Sequence, residues 1–309
     1  EQFTNDWFKQ KIQLSIANLG NRYTPEINFE LDIVKIFDGI ARDSKFSKQL
    51  YEKLDDLLVN LKKSIPRYED SELSKQIENL HHCCDFLSQE YNDIISIDDK
   101  EYDFDKLESK VTEVSTIITN IENRIDELIK IVDKEEKERL DHTKYYIRNT
   151  YAPIRDFHSF INNTTIKLFN KPYLLLDGEA GIGKSHLLAD IANIRIKEDK
   201  YSLLLLGQHF NNTESPQKQI LDQLDLNCKF EEFIEALNCK AQISGTRIII
   251  FIDAINEGAG KFFWPDYFNG FIKNISKFSW LGLVFSIRTS YLKLLEDNIN
   301  HLSNELIKH

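Results

Sequence analysis

Gly178-Glu179-Ala180-Gly181-Ile182-Gly183-Lys184-Ser185 lies between an apolar run, Tyr173 to Leu176, and a helical stretch that starts near Lys184. The pattern is Gly-x-x-x-x-Gly-Lys-Ser, and each part has a physical use. Glycines let successive backbone N–H groups turn inward around a β-phosphate, the helix start adds its positive dipole end, and Lys184 reaches the β and γ oxygens. Ser185 stands where a hydroxyl ligates Mg²⁺, with His186 next in the first helical turn. Strand, loop and helix in this order predict a nucleotide-binding element formed by Gly178 through His186. The plain alternative is a Gly-rich turn with no ligand.

Further along, Arg247-Ile248-Ile249-Ile250-Phe251-Ile252 ends in Asp253 and continues Ala254-Ile255-Asn256-Glu257-Gly258. A continuous β-branched run suits a parallel strand buried on both faces, and an acid at its C-terminal end emerges beside the phosphate loop. This is a Walker B pattern. Asp253 is expected to hold Mg²⁺ through water. Glu257, four residues beyond, is expected to polarise the water attacking a γ-phosphate, or else to be a loop acid. Arg288 closes another apolar run, Leu281 to Ile287, where a cation can report a γ-phosphate or simply face solvent.

The strands expected in this half are 173–177, 202–206, 247–252 and 281–287, joined by helices. Ser215-Pro216 opens one helix as N-cap and N1 proline, and Phe230, Phe233, Ile234 and Leu237 mark the next. Alternating strands and helices make a parallel sheet wrapped by helices, an α/β domain over residues 148–309 with its start signalled by Ala152-Pro153.

Residues 1–147 read instead as a helical bundle. Leu107, Val111, Val114, Ile118, Ile121, Ile125, Leu128 and Val132 form a heptad seam. Matching stripes come from Leu54, Leu57, Leu58 and Leu61, and from Ile77, Leu80, Cys84 and Leu87, which favours an antiparallel partner within the chain over a coiled coil between chains. Asp133-Lys134-Glu135-Glu136-Lys137-Glu138 reads as solvated helix. Asn18 through Glu26 reads as a connector, with Thr24 capping the helix after it.

Length and composition agree with two domains: 309 residues, 41% hydrophobic and 29% charged. A formal charge of −11 argues against broad contact with nucleic acid or anionic lipid. No apolar stretch approaches the roughly 20 residues of a membrane helix, and no leader pattern opens the sequence, so a cytoplasmic protein is expected. Four cysteines in a chain this long suit a reducing compartment. His81-His82-Cys83-Cys84 spreads around one helix and cannot by itself converge on a tetrahedral ion. Cys228 and Cys239 are expected to face the core. The sequence starts at Glu1 and contains no methionine, which reads as an excerpt of a longer protein or as loss of methionines from the text.

With its phosphate loop, Phe251-Ile252-Asp253-Ala254-Ile255-Asn256-Glu257-Gly258 and Phe285-Ser286-Ile287-Arg288, the second half resembles the STAND class of P-loop NTPases, including NACHT-like ATPases. The nearer resemblance is to bacterial antiviral STAND (Avs-like) proteins, and Asn21-Arg22-Tyr23-Thr24-Pro25-Glu26 is similar to a segment upstream of their ATPase. The resemblance implies a three-layer ASCE-type parallel sheet, ATP or ADP with Mg²⁺, and site roles residue by residue. Lys184 and Ser185 would bind phosphates and metal, Asp253 the metal shell, Glu257 the catalytic water, and Arg288 would act as sensor. It also implies self-association on target recognition, with effector and sensor domains outside this stretch. A fifth strand beside the first, and a lid, are expected to be cut off. The alternatives are an AAA+-type loader or remodeller and a scaffold built on the heptad helix, with a small-molecule kinase last because no arginine-rich lid follows. Adenine is expected over guanine, since no Asn-Lys-x-Asp motif is present.

Overall fold

The computed structural model describes residues 3–23, 33–66, 68–96, 100–302 and 306–309. Along the chain come α1 (Asn5–Leu19), a 3-10 turn at Gly20–Arg22, α2 (Val34–Ala41), α3 (Ser44–Lys63), α4 (Ser71–Ile95), α5 (Asp105–Leu128), α6 (Lys134–Ile161) and α7 (Thr164–Asn170). Then β1 (Tyr173–Gly178), α8 (Lys184–Lys197), β2 (Ser202–Leu206), α9 (Pro216–Gln223), α10 (Phe230–Ser244), β3 (Ile248–Asp253), α11 (Gly260–Ile275), β4 (Leu281–Arg288), α12 (Glu296–His301) and β5 (Ile307–Lys308) follow. The expected cap at Thr24 lies outside the described residues. Among the described residues, no helix is long and apolar enough to cross a membrane.

The chain divides into two compact units, one of residues 44–166 and one of residues 1–43 together with 167–309. This differs from the boundary expected at 147/148, which falls inside α6. Pro153 sits within that helix. A proline removes one helical hydrogen bond, but the buried stripe of Ile147, Ile154, Phe157 and Phe160 continues on both sides of it and carries the helix through.

In the helical unit, α3 packs on α4 and α6, and α5 packs on the same two helices, closing a four-helix bundle. The seam from Leu107 to Leu128 is buried against it, as are Leu54, Leu57, Leu61, Leu80, Cys84 and Leu87. Burial of the seam inside the unit is what the intramolecular expectation required. Its last member differs, because α5 ends at Leu128 and Val132 lies beyond it. Asp133 then starts a new helix, its carboxylate accepting from the Glu136 N–H at 2.9 Å. The charge run is thus an acidic first turn, favourable at the positive end of a helix dipole.

The other unit is α/β. All five strands are parallel, in the order β2-β3-β4-β1-β5, and β2 and β3 are buried along their whole length. Helices cover them: α1 and α8 lie on β2, α2, α8 and α10 on β3, and α10 and α11 on β4. The four expected strands agree with the observed ones to within one residue at either end. Ser215 caps α9 ahead of Pro216 as its sequence predicted. Two expectations fail. Ile307-Lys308 pairs with Leu174-Leu175 as a parallel fifth strand, so this element is present rather than cut off. Cys228 and Cys239 are exposed; Cys228 precedes α10, and Cys239 is two residues past Leu237, roughly 200° around the helix from the face that Phe233, Ile234 and Leu237 bury.

The described residues of 1–43 join this unit because their buried apolar side chains belong to the core around the sheet. Phe8 and Ile12 are fully buried, the Phe8 ring lies 4.7 Å from that of Tyr201, and the Ser15 hydroxyl donates to the Leu204 carbonyl at 2.5 Å. Just ahead of β3 the buried Arg247 collects helix-end carbonyls, donating to Ile40 at 3.3 Å and Phe169 at 2.8 Å. These are carbonyls that helix C-termini leave without helical donors.

Candidate functional site

Parallel strands bring their C-terminal ends to one edge of the sheet, and the glycine loop, Asp253, Glu257 and Arg288 lie on that edge. The loop from β1 to α8 needs its glycines: Gly181 and Gly183 have φ of 82° and 97°, which favour residues without a Cβ. Gly183 also occupies the N-cap of α8 and offers no side-chain cap, so the first N–H groups of that helix are left for an outside acceptor. Lys184 folds back over the loop, its ammonium donating to the Gly178 carbonyl at 2.6 Å and the Glu179 carbonyl at 2.9 Å. Burial pulls its pKa below the ordinary lysine value, and Asp253 is the largest influence opposing that shift.

The order β3-β4-β1 inserts β4 between the glycine loop and the acid of β3, and β4 supplies what links them. Arg288 is in register with Gly178. Two residues earlier on the same side of the strand, the Ser286 hydroxyl donates to Asp253 Oδ1 at 2.5 Å and accepts from the Ala254 N–H at 2.7 Å. Asp253 is 1% exposed. Burial raises its carboxyl above the usual range, and the hydroxyls of Ser185 and Ser286 pull it back. Ala254 follows with φ of 53°, a costly left-handed conformation for a non-glycine residue that turns the chain sharply out of the strand. That turn brings Glu257 back over the edge, where Arg288 Nη2 meets its Oε1 at 2.9 Å and Arg22 Nη1 meets its Oε2 at 2.9 Å. The buried Asn256 accepts from the Arg288 N–H at 3.0 Å.

These groups surround a cleft of about 410 Å³. Of the expected residues, Ala180, Gly181, Gly183, Lys184, Ser185 and His186 line it, together with Asp253, Glu257 and Arg288. Gly178, Glu179 and Ile182 do not line it. The first two present carbonyls to Lys184, and the Ile182 side chain is 62% exposed. His186 Nε2 lies 3.0 Å from Asp190 Oδ2, and the Tyr23 hydroxyl donates to Asp190 Oδ1 at 2.8 Å. Sequence reasoning gave no role to Arg22, Ser286 or Asn256, although all three line the cleft. Arg22 lay in a stretch read as a connector. Ser286 carried a usable signal, a polar residue inside a strand otherwise buried and apolar.

The donor set fits a polyphosphate with a hard cation. Two cationic side chains, Lys184 and Arg288, face the cleft beside the first backbone N–H groups of α8, and Arg22 lines it, paired with Glu257. Ser185 and Asp253 offer the oxygen ligands Mg²⁺ prefers. A cation beside Asp253 also favours its ionised form, which burial disfavours. Comparison with protein-family models, with curated proteins and with solved structures found no match to this chain.

Proposed function

We propose that the α/β unit binds ATP or ADP with Mg²⁺ and hydrolyses ATP slowly, as the nucleotide switch of a STAND-type signalling ATPase. On that reading this stretch is the central part of a bacterial antiviral protein that self-associates when its target is recognised. The observation that carries the nucleotide site is convergence: glycine loop, Lys184, buried Asp253, Glu257 and Arg288 reach one cleft from three strand ends. Sheet order adds support, because the strand between the loop and the acid delivers the arginine.

The residues divide the work. Backbone N–H groups of the loop and the ammonium of Lys184 hold the β- and γ-phosphate oxygens, and Lys184 exchanges its two carbonyl partners for them. Ser185 and Asp253 would hold Mg²⁺, which when bound offsets the charge of the phosphates. Glu257 orients the attacking water and accepts its proton, while Arg288 reads the γ-phosphate. The antiviral and self-associating parts of the proposal rest on the motif resemblance alone.

Equilibrium binding of a fluorescent ATP analogue tests the site. Lys184→Ala should lower affinity by at least about 100-fold, in line with losing a charge-assisted contact of roughly 3 kcal/mol; unchanged affinity would refute it. Glu257→Gln should bind as wild type does but lose hydrolysis.

A further inference from the structure

Glu257 is held from both sides by guanidinium groups, and the two differ in how they are themselves held. The Arg288 guanidinium donates to Glu257 Oε1 at 2.9 Å. Arg22 is anchored elsewhere too: its Nη2 donates to Gln208 Oε1 at 3.2 Å, and Gln208 Nε2 donates to the Asn18 carbonyl at 3.3 Å. The backbone next to Gln208 lies tight against the turn after β3, for at Gly207 an added Cβ would be 2.0 Å from the Ala254 carbonyl oxygen. The neighbouring Tyr23 is tied to Asp190 on α8. The Arg22 guanidinium is therefore braced against the turn after β2, beside the acid-bearing end of β3.

Resting on the ATPase reading above, we propose that Arg22 is a positioning residue for Glu257. A γ-phosphate entering the cleft competes with the carboxylate for Arg288 and draws it from Oε1. Arg22, braced from behind, keeps hold of Oε2. The carboxylate then stays fixed in orientation with Oε1, released by Arg288, facing the attacking water, whose proton it accepts as the water oxygen bonds to the γ-phosphorus and the bond to the β-γ bridging oxygen breaks. Arg22 thus acts through Glu257, and its effect falls on turnover rather than on nucleotide affinity.

Single-turnover hydrolysis of ATP with the protein in excess, beside equilibrium ATP binding, tests this on the full chain. Arg22→Ala should lower the hydrolysis rate about 10- to 100-fold, the scale of a misplaced catalytic group, with the dissociation constant within about threefold of wild type. Arg22→Lys, which keeps the charge but not the fork, should recover part of the rate. In a Glu257→Gln background Arg22→Ala should add no further loss. Equal rates in wild type and Arg22→Ala would overturn the inference. A matching loss in affinity would also overturn it, by making Arg22 a phosphate ligand. Wild type that binds ATP without hydrolysing it would remove this role and leave the nucleotide site standing, whereas wild type that binds no nucleotide would remove both.

Discussion

Asp253 concentrates the physical tension of the site, since it is buried and yet, on the proposed reading, must be ionised to hold Mg²⁺. Its carboxyl is raised by burial and lowered by the Ser185 and Ser286 hydroxyls. An acid with a raised pKa loses its charge at higher pH than an ordinary aspartate, so Mg²⁺-dependent nucleotide affinity should fall as pH drops through that raised value. Ser286→Ala removes one of the two hydroxyls and should move the loss to still higher pH. Titrating ATP binding with Mg²⁺ across the acidic range, in wild type and Ser286→Ala, checks this; coincident profiles would show that the hydroxyl does not support the charge. Most of the cleft was legible at this scale because glycine spacing, a lysine and a strand-ending acid are local signals. Ser286 and Arg22 were harder to assign, because a serine in a strand and an arginine in a connector gain meaning only from partners 33 and 235 residues away.

Among the elements, α4 shows one carboxylate doing two jobs. Asp70 caps the helix, accepting from the Glu72 and Leu73 N–H groups at 3.1 and 3.0 Å, and it also pairs with Arg124 of α5 at 2.7 Å. The Arg124 guanidinium, first, and the Leu73 N–H hold its pKa down from 3.8 to about 2. A depressed acid stabilises the fold above its ordinary pKa, and that contribution is lost as pH falls from 3.8 toward 2. Asp70→Ala should cost about 1–2 kcal/mol through the lost cap, and Asp70→Asn should keep most of it. Both should remove the acid-dependent part. Urea unfolding followed by circular dichroism measures these effects, and tryptophan emission offers a contrast, because Trp7, Trp264 and Trp280 all belong to the α/β unit. Element types were readable from periodicity here, whereas ends were not. The end of α5 and the continuity of α6 depend on which side chains find a buried face, a fact of packing that Pro153 and Val132 could not announce.

For the whole molecule, the sequence suggested two consecutive domains, and the structure instead has a discontinuous α/β unit with helices α3–α6 set between its parts. A weakly apolar N-terminal helix gives no hint that its partner strand lies far downstream, so composition assigned α1 to its neighbours in sequence. Phe8→Ala should cost about 3–5 kcal/mol as a fully buried aromatic truncation, and the loss should appear in the tryptophan-reported transition. A null effect on that transition would contradict the grouping of residues 1–43 with the sheet. This discontinuity bears on biosynthesis. Ser15 and its partner Leu204 are separated by 189 positions, about 10–40 s of translation at 5–20 residues per second. Throughout that interval the nascent α1 leaves the ribosome with Phe8 and Ile12 uncovered, a sticky segment suited to chaperone capture, while the inserted bundle can complete itself first.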